Sequence, residues 1–297
     1  MTSVPGSRAP RLPAVLAPIE ADLEQVGERY LGILAGVSAR TRGLLAETPR
    51  FAGKRLRPSL ACLAGRIAGG RVTEDVATVA AIVELIHTAT LVHDDLIDGA
   101  EVRRERATLN ARLGDQFAVL VGDVLFTKAY VTAAHMEDRF ASQYLSKVVD
   151  EILEGEIHQD LVTRTATLTE ADYRAIIRGK TAALYEAALV VGAHYGGRPD
   201  LGEALGRYGH HLGMAFQIVD DRLDLTGDEE RVGKTLGRDL GEGKTTLPLI
   251  LWRASRPEGE GAEAIALVEA AWDDPEAAAR LCVRLEADGA LAAVSYT

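Results

Sequence analysis

Two short acidic runs carry the strongest chemical signal in the chain. Asp94-Asp95-Leu96-Ile97-Asp98 and Asp220-Asp221-Arg222-Leu223-Asp224 share the spacing D-D-x-x-D. On a helix the first and last Asp of each run lie one turn apart on one face, with the middle one about 100° round, so three carboxylates can converge on a hard cation. Both runs continue apolar stretches, Leu85 to Val92 and Met214 to Val219, which places the carboxylates at the mouth of something apolar. Carboxylates at a helix C-terminus also face the negative end of the macrodipole, so a cation is the expected partner. The spacing suits Mg²⁺, which keeps several waters and binds through a few carboxylates plus substrate phosphates. Zinc fits poorly, because His87 and His93 form no closed ligand set with a cysteine.

Basic residues decide what such a metal would carry. Lys54, Arg55 and Arg57 surround a turn, Arg103, Arg104 and Arg106 follow the first acidic run, and Lys234 and Lys244 flank a Gly-rich loop after the second. Carboxylates, Mg²⁺ and separate Lys and Arg groups can hold two polyanions at once, one bridged by metal and one bound directly. Three Gly-Lys-Thr tripeptides suggest a P-loop, but Gly227 to Gly233 and Gly237 to Gly243 each enclose five residues where four are required. Arg174 stands where Gly179-Lys180-Thr181 would need its leading glycine, so none of the three makes a P-loop and the sequence argues against ATP or GTP binding.

The elements positioning these groups follow from composition and breakers. With 44 acidic and 33 basic side chains the net charge is −11, which argues against a nucleic-acid partner. A hydrophobic share of 47% with 26% charged residues fits a soluble globular chain. Cys62 and Cys282 have no CxxC partner, consistent with a reduced, cytoplasmic protein. The N-terminus has no signal-peptide pattern, and Val76 to Val92, interrupted by Glu84, reads as a buried core helix instead of a transmembrane segment.

No proline occurs between Pro58 and Pro199, nor from there to Pro248, which favours helices throughout. Apolar spacing predicts an all-α protein with helices over about 15–46, 57–69, 73–98, 116–136, 140–162, 169–195, 200–226, 245–255, 259–272 and 274–287. Prolines 5, 10, 13 and 18 mark residues 1–18 as a mobile arm, and 19–297 forms one domain without an internal linker.

Taken together, residues 50 to 250 resemble the trans-isoprenyl (polyprenyl) diphosphate synthases. The motifs are Gly53-Lys54 to Pro58, Glu84 to Asp98, Gly179 to Leu184 and Phe216 to Asp224. The resemblance implies an isoprenoid synthase fold of about ten core helices around a deep central cavity, as a homodimer. It implies Mg²⁺, three ions per site with substrate bound, on Asp94, Asp95, Asp98, Asp220, Asp221 and Asp224. Arg103, Lys180, Lys234 and Lys244 would bind an allylic diphosphate, farnesyl or geranylgeranyl. Lys54, Arg57, His87 and Arg104 would hold isopentenyl diphosphate, and Lys180, Thr181 and Gln217 would serve the reacting centre. No Ser, Cys or His nucleophile is needed for this chemistry.

Product length should follow cavity depth below Asp94. One helical turn rises about 5.4 Å, close to one isoprene unit, so bulk one or two turns earlier would stop growth. Ala89 and Thr90 stand there, both small, which resembles medium- and long-chain quinone-tail synthases of the heptaprenyl and octaprenyl type and a menaquinone side-chain role. The floor is expected near Leu145, Val148, Val149 and Ile152. The alternatives are a geranylgeranyl diphosphate synthase and a non-catalytic partner subunit of a heteromeric synthase. A terpene cyclase fits less well, because it needs neither Lys54 and Arg57 nor a second complete D-D-x-x-D. Two departures stand out: Glu105 follows the Arg pair where the family has glycine, and the chain stops at Thr297, one or two helices earlier than expected.

Overall fold

A computed structural model describes residues 12–45, 54–103, 106–226, 237–257 and 259–294. Its elements are α1 (Leu12–Leu16), α2 (Glu20–Ala35), α3 (Ala39–Leu45), α4 (Leu56–Gly69), α5 (Glu74–Ile97), α6 (Leu109–Leu113), α7 (Asp115–Ala134), α8 (Phe140–Leu161), α9 (Glu170–Ile177), α10 (Ala183–Tyr195) and α11 (Gly202–Thr226). Then come α12 (Arg238–Gly241), α13 (Leu247–Ala254), α14 (Gly261–Asp273), α15 (Pro275–Ala287) and α16 (Ala290–Ala293). One two-stranded antiparallel hairpin, β1 (Val102–Arg103) with β2 (Arg106–Ala107), follows α5.

Helix α5 is the element around which the first part of the chain packs. The Thr73 side chain caps it by accepting from Val76 N at 3.2 Å, and Glu74 and Asp75 in the first turn suit the positive end of the helix dipole. Its middle is buried on nearly every side, against α2, α4, α7 and α10. A single core cluster joins Val79, Ile82, Leu85 and Ile86 of α5 to Leu23 and Tyr30 of α2, Leu125 of α7, Leu145 and Val149 of α8 and Leu184 of α10. Burying each such side chain stabilises by about 1.5–3 kcal/mol, which holds a carboxylate-ended helix at the centre of the molecule. A second cluster, with Trp252, Leu240, Val268, Leu281 and Leu285, builds the C-terminal helices.

By length and composition, α5 and α7 could each cross a membrane. Helix α5 is enclosed by protein, whereas α7 leaves Phe117, Val119, Leu120 and Val131 exposed.

The helix expected over 15–46 is broken. Ser38 Oγ accepts from Thr41 N at 3.2 Å and starts α3 anew, a cap that outweighs the continuing apolar pattern. Residues 12–18, assigned to the arm, form α1 and the start of a 3₁₀ turn that ends at the buried Ile19, the first residue assigned to the domain. The helix expected over 169–195 is interrupted by a π-helical turn at Arg178–Ala182. The hairpin and the short helices α6, α12 and α16 were not expected either, since each is too short to show a hydrophobic period.

Candidate active site

The two acidic runs end α5 and α11, and the turn from Gly237 to Thr246 bridges them. Lys244 Nζ lies 3.1 Å from Asp98 Oδ1, and Arg238 Nη2 lies 3.9 Å from Asp98 Oδ2. On the other side Asp239 N donates to Asp224 Oδ2 at 3.1 Å, and Gly237 N to Asp224 O at 2.8 Å. Burial alone would lower the Lys244 ammonium, but Asp98 and Glu242 outweigh it and hold Lys244 above its ordinary range.

Within the first run the three carboxylates differ. Asp94 is half-buried, and burial pushes it up to about 7, with Lys180 opposing and Glu156 and Asp98 adding to the rise. Asp95 is buried and receives Arg103 Nε at 2.5 Å, so β1 turns its arginine back onto the helix it follows. Asp98 faces Lys244.

In the second run Asp220 is exposed and Asp224 half-buried, while Asp221 is buried and held by neutral donors. Tyr173 Oη donates to Asp221 Oδ2 at 2.6 Å, and Gln217 Nε2 donates to Oδ1 at 2.7 Å. Burial still dominates those two bonds and, with Asp220 and Asp224 adding, pushes Asp221 up to about 6. Thr181 Oγ1 donates to Gln217 Oε1 at 2.7 Å, which completes a chain Thr181–Gln217–Asp221–Tyr173 across three elements. A cavity of about 110 Å³ opens here, lined by Gln159, Lys180, Thr181, Gln217, Asp221, Asp239 and Lys244.

The π turn orients Lys180 and Thr181. One extra residue in a helical turn rotates the side chains beside it, and such turns recur at functional sites. Lys180 Nζ meets Glu156 of α8 at 2.7 Å.

A basic corner adjoins the first run. Arg57 Nη1 donates to His87 Nε2 at 3.0 Å, and its guanidinium lies 4.6 Å over the Tyr185 ring. Accepting at Nε2 requires His87 to be neutral on that nitrogen. Burial lowers Arg57, against the pull of Tyr185, Glu84 and Asp94, and its Nε is buried without a partner. Lys54 is exposed at the entrance to α4. Arg104 and Lys234 lie outside the described residues.

On α5, Thr90 shares a partly open stripe with His87, Leu91, Asp94 and Asp98, whereas Ala89 is fully enclosed in the core. Leu145, Val148, Val149 and Ile152 of α8 are also buried in that core cluster.

Among the described residues, no three His, Cys, Asp or Glu side chains are gathered closely enough to form a ligand set by themselves. The donor set nonetheless fits a hard cation. Asp94, Asp221 and Asp239 are all driven upward, burial first, with neighbouring carboxylates adding to the rise. A divalent ion carried in with phosphate oxygens would relieve that repulsion and would need only a few protein carboxylates.

Sequence reasoning missed Tyr173, Glu156, Arg238 and Asp239. Asp239 had a legible signal, a carboxylate inside Gly237-Arg238-Asp239-Leu240-Gly241-Glu242-Gly243. Tyr173 had none, since a tyrosine on an amphipathic helix reads as core.

A family model described as polyprenyl synthetase matches residues 42–281. The octaprenyl diphosphate synthase of Escherichia coli (strain K12) is 39% identical over 241 residues, covering 77% of this chain and 74% of that one. Among solved structures, a polyprenyl synthase from Caulobacter crescentus CB15, complexed with calcium and isoprenyl diphosphate, superposes with a TM-score of 0.87 at 35% identity, over 97% of this chain and 88% of that one. A geranylgeranyl pyrophosphate synthetase from Pyrococcus horikoshii Ot3 gives 0.84 at 29% identity, over 97% and 89%.

Proposed function

The chain belongs to the polyprenyl synthetase family and is a prenyltransferase with the isoprenoid synthase fold, and from that premise we propose that it condenses isopentenyl diphosphate head to tail onto an allylic diphosphate, farnesyl or geranylgeranyl, with Mg²⁺. The observation that carries this reading is the convergence of the two D-D-x-x-D runs on one charged turn, with Lys244 on Asp98 and Asp239 on Asp224.

Asp94, Asp95, Asp98, Asp220, Asp221 and Asp224 would hold the metal, Asp95 and Asp221 from buried positions fixed by Arg103, Tyr173 and Gln217. Mg²⁺, three ions per site when substrate is bound, supplies Lewis-acid neutralisation of the departing diphosphate. Lys180 and Lys244 donate to that diphosphate as the allylic C–O bond breaks, and Arg103 can exchange Asp95 for it. Lys54, Arg57 and His87 hold the isopentenyl diphosphate so that its double bond attacks the allylic cation. Arg104 and Lys234, which lie outside the described residues, are expected to bind the isopentenyl and the allylic diphosphate respectively. A proton then leaves the new branch for the released diphosphate. Thr181 and Gln217 wall the reacting centre and keep water from the cation.

The product is a medium- or long-chain prenyl diphosphate, with the chain growing along the Thr90 and Leu91 face of α5. Thr90→Phe should shorten it, read by product chromatography. Ala89→Phe should instead overpack the core at a cost of about 1–3 kcal/mol, read by thermal melting. The exposed apolar face of α7 supports a homodimer, and the two free cysteines agree with a cytoplasmic location.

The test is incubation with labelled isopentenyl diphosphate and farnesyl or geranylgeranyl diphosphate, with Mg²⁺ or EDTA. The reading requires Mg²⁺-dependent products longer than the primer. Folded protein that yields none overturns it.

A further inference from the structure

Helix α8 passes the π-helical turn closer than two ordinary side chains allow. A side-chain carbon on Gly155 would lie 2.6 Å from Lys180 N, and one on Gly179 would lie 2.7 Å from Glu151 O. Only glycine permits this approach, and it brings the next residue of α8, Glu156, beside the Lys180 side chain. Both carboxylate oxygens of Glu156 receive Lys180 Nζ, at 2.8 and 2.7 Å. The pair is shielded, with side chains only 12% and 21% exposed for Glu156 and Lys180 respectively.

A carboxylate at this point has an electrostatic cost. Glu156 adds negative charge where Asp94 is already driven up by burial, and like charges oppose each other. What it gives in return is geometry. A lysine ammonium sits on a flexible four-carbon stem and has three donors. Held by two oxygens of one carboxylate, it has a fixed position and at least one N–H free to point elsewhere.

We propose that Glu156 is a positioning residue for Lys180, clamping its ammonium beside Asp94 so that the free N–H meets the diphosphate oxygen that gains charge as the allylic C–O bond breaks. This rests on the reading of the site as a prenyl-transfer centre. Glu156 touches neither substrate nor metal in this role, so its whole effect passes through Lys180.

A double-mutant cycle on the full chain tests it, with Glu156→Gln and Lys180→Gln at matched melting temperature. In the Lys180 background, Glu156→Gln lowers kcat about ten-fold while KM for the allylic diphosphate changes less than about three-fold. In the Lys180→Gln background, the same change alters kcat less than about two-fold. Glu156→Asp, which keeps the charge but shortens the reach, recovers part of the loss, and it serves in the cycle should the Gln variant not fold. Equal losses in both backgrounds, or an unchanged kcat in Glu156→Gln, overturn the proposal. If the wild-type chain transfers no prenyl group, the functional reading fails. The same cycle read in Mg²⁺-dependent binding of inorganic diphosphate then decides the coupling, non-additive losses supporting it and additive ones overturning it.

Discussion

The ends of α5 and α11 carry the same D-D-x-x-D spacing in different surroundings. At α5 the buried middle residue, Asp95, is neutralised by the Arg103 cation, and Asp98 by Lys244. Among the described contacts, the equivalent Asp221 at α11 is held by the neutral Tyr173 and Gln217, and it faces a further carboxylate, Asp239. The buried centre of the first run is therefore paired with a cation, and the buried centre of the second is held by neutral donors beside another carboxylate. Equal spacing in the sequence does not give equal electrostatics, because the partners arrive from other elements, β1, α9 and the turn after α11.

The largest effects should come from the groups common to both runs. Asp94→Asn and Asp220→Asn should each lower prenyl-transfer turnover by about two to three orders of magnitude, as for other residues that set transition-state charge. An unchanged turnover in either would break the comparison by removing one run from the site.

Smaller effects separate the two runs. Tyr173→Phe removes one of the two neutral donors to Asp221, a loss of about 1–2 kcal/mol, or roughly ten-fold, in Mg²⁺-dependent activity. In metal-free protein Asp221 should then hold its proton to higher pH than its wild-type value of about 6, read by NMR titration of its carboxyl carbon. Asp94 in the α5 run should keep its own value of about 7.

The smallest effect is on stability. Folding raises Asp94 from 3.8 to about 7 and Asp221 from 3.8 to about 6, so the folded chain binds these protons more tightly than the unfolded one. Their contribution is full below the ordinary carboxylate range and is lost as pH rises through about 6 to 7. Metal-free protein should therefore lose stability from this source as pH rises from about 4 to 7. Asp94→Asn should flatten that slope in denaturant titrations, and Mg²⁺ with diphosphate should reverse it by binding the ionised form.

Much of this arrangement was legible in the sequence. The apolar run from Val76 ending in Asp94, Asp95 and Asp98 specified a buried helix with a carboxylate end, because only surrounded helices tolerate apolar residues on all sides. Lys180, Thr181 and Gln217 were also identified, and they do lie together. What hid their geometry is the π turn, since Arg178-Gly179-Lys180-Thr181-Ala182 has no signature that distinguishes it from an α-helical turn. The Gly155 and Gly179 approach was equally hidden, because it depends on two residues distant in the chain meeting backbone to backbone. Ala89 and Thr90 looked equivalent as small residues one turn before Asp94, but one is enclosed in the core and the other lies on the partly open stripe. That division follows from which neighbour covers each side of α5, and periodicity alone does not assign neighbours.

The most direct test of the joint site is calorimetric titration of a non-reactive allylic diphosphate analogue into the protein with Mg²⁺, for the wild type, Asp94→Asn and Asp220→Asn. Both runs holding one metal-bridged diphosphate predicts binding that requires Mg²⁺ and is lost in both variants. Retention of wild-type affinity in either variant would contradict it.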